Sequence, residues 1–216
     1  MNILHSHNIE AVVRREPGGT TYGEVIRAIL KHPELAIPAV LEAMRNHGDT
    51  ADSVIDIEAD LFRTHECEVF LFLASRAEFF EKVIEPELQN GRVVIADRLF
   101  DSTTAYQGGG RFHGDSAMLD FIRRANAIAM RGFMPIKTIL LDISVDTMRE
   151  RLAKEHPDKI AVFEKQNRDF FERTRAVYHL IAKQEPERVI VIDAERPVPE
   201  VFEDVLGHLR PVLGIN

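Results

Sequence analysis

Cysteine, tryptophan and tyrosine are scarce in this chain: one, none and three among 216 residues. A single cysteine, Cys67, excludes an intrachain disulfide and points to a reducing compartment. Its apolar neighbours predict a buried structural thiol. Long basic runs are absent too. Lys and Arg number 27 against 35 Asp and Glu, a formal charge of −8. A nucleic-acid polymer is therefore not the expected partner, because phosphate backbones are held by clustered cations. A small anion gripped by a few local arginines remains open. No apolar window approaches a membrane span, and MNILHSHNIE has neither a signal-peptide core nor an arginine-rich transit pattern. The expected location is the cytoplasm. The nine histidines show no metal-ligand spacing, and His5 and His7 read as an exposed pair.

What is present is a hydrophobic content of 45%, enough for a core, in a chain the length of one ordinary domain, 1–216. Apolar runs and helical periods alternate, the pattern of a parallel sheet covered by helices. Strands are expected at Ile9–Val13, Val93–Ala96, Thr138–Asp142 and Val189–Ile192. The second and third lack polar alternation and so predict burial on both faces. Met1–His7 reads as the tail of a helix. Helices are expected at about Tyr22–Leu30, Pro38–His47, His65–Gln89 with a bend near Pro86, Asp115–Met130, Val145–Leu152, Phe163–Lys183 and Pro199–Leu209. Between 32 and 64 lie a peripheral helix and a long connection. The polar stretch Lys154–Lys159 reads as a loop able to close over a ligand.

Chemistry concentrates in RVVIADRLFDSTTAYQGGGR, Arg92–Arg111. Asp97 and Arg98 fall where a buried strand ends, the edge at which open α/β sheets bind ligands. Asp97 can hold a metal ion or its water, and Arg98 presents a planar fork suited to phosphate. Ser102, Thr103, Tyr106 and Gln107 share one helical face, and Gly108–Gly110 predict close approach of backbone to a ligand. Arg15, in a loop with Pro17, Gly18 and Gly19, is delivered to the same edge. Phe72 and Arg76 lie four apart on one helix face, so an aromatic plate sits beside a cation.

REPGGT (Arg15–Thr20), LFLASR (Leu71–Arg76), DRLFDSTTAYQGGGR (Asp97–Arg111) and FFERTRAVY (Phe170–Tyr178) together resemble thymidylate kinase. The resemblance implies transfer of the γ-phosphoryl group of ATP to dTMP with Mg²⁺, commonly in a homodimer. It also implies a three-layer P-loop nucleoside monophosphate kinase fold around a parallel sheet, an α/β architecture. Arg15 and Arg98 would grip the dTMP phosphate with Arg76 close by. Phe72 would stack on thymine, Thr103 and Gln107 would read its polar edge, and Tyr106 would fill the side where a ribose hydroxyl sits. Asp97 would lie by Mg²⁺.

Three departures accompany the resemblance. No GxxxxGK[ST] occurs in the chain, so the first central strand, its phosphate loop and most of the first helix read as missing, with Met1 an internal start or the chain a fragment. Impaired ATP binding and little turnover are the expectation. Ala161-Val162 precede Phe163-Glu164 where the family often has Asp-Arg, so the lid, about 153–162, would draw its cation from Arg151, Lys154 or Lys159. The connection at 32–64 reads as an insertion. Rival readings are a related nucleoside or nucleotide kinase and a non-catalytic dTMP-binding remnant.

Overall fold

The computed structural model describes residues 2–47, 63–155 and 167–215. In chain order these form α1 (Asn2–Ser6), β1 (Ala11–Arg15), α2 (Thr21–Lys31), α3 (Pro33–Asn46) and α4 (His65–Phe79). A π-helical segment, Phe80–Ile84, leads into α5 (Glu85–Gln89), then β2 (Val93–Asp97), α6 (Phe100–Thr103) and a second π-helical segment, Thr104–Arg111. The chain finishes with α7 (Ser116–Ala129), β3 (Thr138–Asp142), α8 (Val145–Glu155), α9 (Arg168–Gln184), β4 (Val189–Asp193) and α10 (Val198–Leu213). No helix of the described residues is long and apolar enough to cross a membrane.

β1 pairs parallel with β2, and β3 with β4, as two separate two-stranded sheets. In the first pair Ala11 faces Val93 and Arg15 faces Asp97. β1 starts and ends two residues later than its apolar run predicts. Backbone pairing needs no apolar side chain, so the ladder continues through Arg14 and Arg15, and the Glu16 amide still donates to the Asp97 carbonyl at 3.1 Å. Burial on both faces does not hold. Ile95 is 40% exposed and Leu141 53%, because a sheet only two strands wide leaves apolar positions that no helix covers.

The helices follow the sequence more closely. Thr20, Thr64, Asp115 and Asn167 cap α2, α4, α7 and α9 by accepting from the amide three residues on. The expected bend at Pro86 is a π-helical segment just before it instead. Proline has no N–H to return to the preceding turn, and the wider turns absorb the loss. Cys67 is exposed rather than buried. It sits in the capped first turn of α4, where Glu68 and Val69 take the buried face.

Phe79, Phe80, Ile84, Phe100 and Met130 form a core beside β2, while Ala105, Val177, Ile181, Ala182 and Val189 join the second π-helical segment to α9 and β4. Gly109 and Gly110 serve this second junction, while Gly108 lies under Leu119 of α7, so all three glycines meet packed side chains and not a ligand. A Cβ on Gly109 would fall 2.7 Å from Val177 Cγ2 and 3.0 Å from the Arg173 carbonyl oxygen, and one on Gly110 would fall 2.4 Å from Phe170. Glycine there lets α9 lie against the segment. Gly109→Ala should cost about 1–3 kcal/mol by overpacking, read as a fall of several degrees in Tm. An unchanged Tm would remove that role.

Arg188 fastens the β3–β4 sheet to α6. It is buried, donates to both Asp101 carboxylate oxygens at 2.8 Å, and also donates to Thr138 Oγ1 at 2.8 Å. From α9, Arg175 makes a bidentate pair with Asp142 at 2.7 Å, Arg168 pairs with Asp146, and Arg173 donates to the Gly110 carbonyl. The charged face expected for this helix is therefore a set of staples.

Candidate functional site

Strand ends and helix faces meet at a cavity of about 370 Å³. That falls in the range of roughly 300–1,000 Å³ typical of small-molecule sites. β1 brings Arg15, and β2 brings Asp97 with Arg98 behind it, in the register that sets Arg15 opposite Asp97. α4 brings Phe72 and Arg76 from one face, and α6 with the following π-helical segment brings Thr103, Tyr106 and Gln107. All eight line one space, so side chains from three separate parts of the sequence are brought together.

The lid candidates are placed differently. Arg151 donates to the Ala194 carbonyl at 3.0 Å, beyond the end of β4, and neither it nor Lys154 lines the cavity. α8 contributes Met148 and Leu152 to the wall instead. Lys159 lies outside the described residues, as do most of the lid and residues 48–62 of the long connection.

Arg98 has a backbone φ of +68°, a left-handed conformation that costs a non-glycine residue roughly 1–2 kcal/mol. Such strain is concentrated at functional sites. The turn carries its guanidinium to 5.2 Å from the Tyr106 ring centroid, within cation–π reach. Tyr106 packs in turn near Phe170 and edge-on to Tyr178. Burial pushes the Tyr178 hydroxyl pKa up, so it stays protonated and donates to Ser102 Oγ at 2.8 Å.

Arg76 is held rigidly. It is 1% exposed, and its Nε and Nη2 donate to Glu16 Oε2 at 3.2 and 2.7 Å. Nη2 also donates to Thr103 Oγ1 at 2.9 Å, and Nη1 to Asn126 Oδ1 at 2.6 Å. Thr103 is thus oriented by the arginine and keeps its own hydroxyl proton to donate. Gln107 is buried and donates through Nε2 to Glu68 Oε1 at 2.8 Å.

Glu16, Arg27, Lys31, Glu68 and Asn126 carry this site without having been singled out from sequence. Arg27 and Lys31 line the cavity one turn apart on α2, and Arg27 ties the preceding loop down through the Pro17 carbonyl at 2.9 Å. A chain of net −8 therefore presents Arg15, Arg27, Lys31, Arg76 and Arg98 in one wall against Glu16 and Asp97. Glu16 stands within REPGGT, so its place was visible, but its partner is 60 residues away.

Burial raises the Glu16 carboxyl pKa above its ordinary value of 4.5, with Arg76 pulling the other way. Its proton is held more tightly in the folded than in the unfolded chain. The stability this gives is complete below the ordinary glutamate range and is lost as pH rises through the raised value. A Glu16→Gln variant, neutral throughout, lacks that loss. Urea unfolding at several pH values should move the stability difference in the variant's favour as pH rises; a constant difference would contradict the assignment.

The thymidylate kinase family profile matches residues 1–205. Thymidylate kinase of Chlorobaculum parvum is 35% identical over 96% of this chain and 85% of its own length. That of Halorhodospira halophila is 37% identical over 94% of this chain and 80% of its own. The crystal structure of thymidylate kinase from Ehrlichia chaffeensis superposes with a TM-score of 0.59 at 26% identity, covering 97% of this chain and 85% of that one. Together with the parallel strand pairs and the cation-lined cavity at the ends of β1 and β2, these matches establish that the chain belongs to the thymidylate kinase family, the phosphotransferases that convert dTMP to dTDP.

Proposed function

We propose that the cavity is the dTMP acceptor site, and that the γ-phosphoryl group of ATP is transferred to the dTMP bound there. The observation that carries this reading is the convergence of Arg15 and Arg98, from paired strand ends, with Phe72, Thr103 and Gln107 around one cavity. Phosphoryl transfer requires two anions to be aligned and their charge neutralised, with little covalent help from the protein. Arg15 and Arg98 hold the acceptor phosphate in this reading. Phe72 supplies a face for the pyrimidine, and Thr103 and Gln107 hydrogen-bond its edge. Arg76 acts beside them chiefly by fixing Thr103. Tyr106, stiffened by its aromatic neighbours, closes the sugar side.

Asp97 is a single exposed carboxylate at the cavity wall. That suits Mg²⁺, which keeps several waters and takes one or two carboxylates together with substrate phosphates. When bound, the ion would supply neutralisation of phosphate charge beside Asp97.

The reading includes a cytoplasmic homodimer. A surface patch of Phe70, Met118 and Phe121 beside Glu66 supports the dimer, with Phe70 56% exposed and edge-on to Phe121. Sedimentation equilibrium should give a two-chain mass; a one-chain mass at micromolar concentration would remove this part.

Acceptor and donor are best tested apart. Calorimetric titration of the full chain should show dTMP binding well ahead of dCMP and dGMP, with no requirement for ATP. Coupled turnover with ATP and Mg²⁺ then tests transfer. Equal affinity for the three monophosphates, or no binding of any, would overturn the acceptor assignment.

A further inference from the structure

We propose that Glu68, which touches no substrate, is the positioning residue that sets which pyrimidine the cavity accepts. The inference rests on the acceptor-site reading and specifies the polarity of that site. Glu68 is 3% exposed and stands behind Gln107, outside the cavity wall. Arg111 donates to it at 3.1 and 3.3 Å and Arg63 at 3.3 Å, so it is an acceptor surrounded by donors.

A carboxylate so placed can only accept, and the Gln107 amide must therefore turn its nitrogen toward it. The Nε2 to Oε1 distance is 2.8 Å. Swapping the two ends of the amide would set its carbonyl oxygen against the carboxylate, two acceptors in contact with no proton between them. What Gln107 offers the cavity is consequently its carbonyl oxygen. A carbonyl there accepts from the N3–H of thymine or uracil. Cytosine has a bare acceptor at N3 and would leave both lone pairs opposed. Preference for an N3–H pyrimidine is thereby decided by an acid on α4 that lies 39 residues from the glutamine it orients.

The test is calorimetric titration of the full-length wild type and Glu68→Gln chains with dTMP and with dCMP. A glutamine at 68 can present either end of its amide to Gln107, which frees Gln107 to turn. The dTMP-over-dCMP affinity ratio should fall about tenfold in E68Q, the worth of one well-placed hydrogen bond to a buried group. A folded E68Q chain that keeps the wild-type ratio would overturn the inference while leaving the acceptor reading intact. Failure of wild type to bind dTMP would overturn the acceptor reading and this inference with it. Should E68Q not fold, ¹⁵N-glutamine NMR of the wild type decides. The Gln107 side-chain NH₂ should exchange slowly both without and with dTMP; loss of that protection on adding dTMP would mean the nitrogen turns to the ligand, and would reject the proposal.

Discussion

Replacement of Arg76 by alanine is expected to destabilise the chain by about 3–5 kcal/mol, the cost of removing one partner from a buried ion pair. Glu16 would be left 4% exposed with no cation, and Asn126 Oδ1 and Thr103 Oγ1 would each lose a donor. Against a typical total stability of about 5–15 kcal/mol, that loss takes a large share. Urea unfolding should show a greatly lowered midpoint. Arg76→Lys keeps the charge but not the fork that reaches Glu16, Asn126 and Thr103 together, so it should fall between. A stable R76A chain with wild-type dTMP affinity would show that this network neither supports the fold nor orders Thr103.

Arg98→Ala should leave the fold largely intact and damage binding instead. The residue is exposed at the cavity wall, and its removal also relieves none of the buried pairs described above. One charge-assisted hydrogen bond is worth about 1.5–3 kcal/mol, so dTMP affinity should fall roughly ten- to a hundredfold. Because the lost contact is to phosphate, affinity for thymidine should barely change. Calorimetry with both ligands separates the two effects. A parallel loss for thymidine would mean that Arg98 serves the base or the local fold and not the phosphate.

Local chemistry was legible in the sequence, and remote partnership was not. Arg15, Asp97 and Arg98 could be placed because apolar runs mark strands and strands deliver their ends to one edge. Phe72 and Arg76 could be paired because helical geometry puts residues four apart on one face. Gly108–Gly110 were visible as glycines, yet nothing local says that Leu119 of α7 presses on the first and Val177 and Phe170 of α9 on the other two. Glu16 and Glu68 look like ordinary acids until their partners, 60 and 39 residues away, are in place. Cys67 misled for a related reason: apolar neighbours on a helix do not fix which face an individual residue takes, and Thr64 caps the turn that points it outward.

Strand burial failed on a different ground. Continuous apolar runs predict sheets covered on both faces, and here the pairs β1–β2 and β3–β4 remain two strands wide, with Val13, Ile95, Leu141 and Val191 exposed. Arg188 and Asp101 connect the second pair to α6, beside the site.

The most direct trial of the acceptor site is a crystal structure of the full chain grown with dTMP. The phosphate should lie within hydrogen-bond distance of Arg15 and Arg98, the pyrimidine against Phe72, and the Gln107 carbonyl toward N3. Nucleotide density elsewhere on the surface, with the cavity between Phe72 and Arg98 empty, would contradict the account.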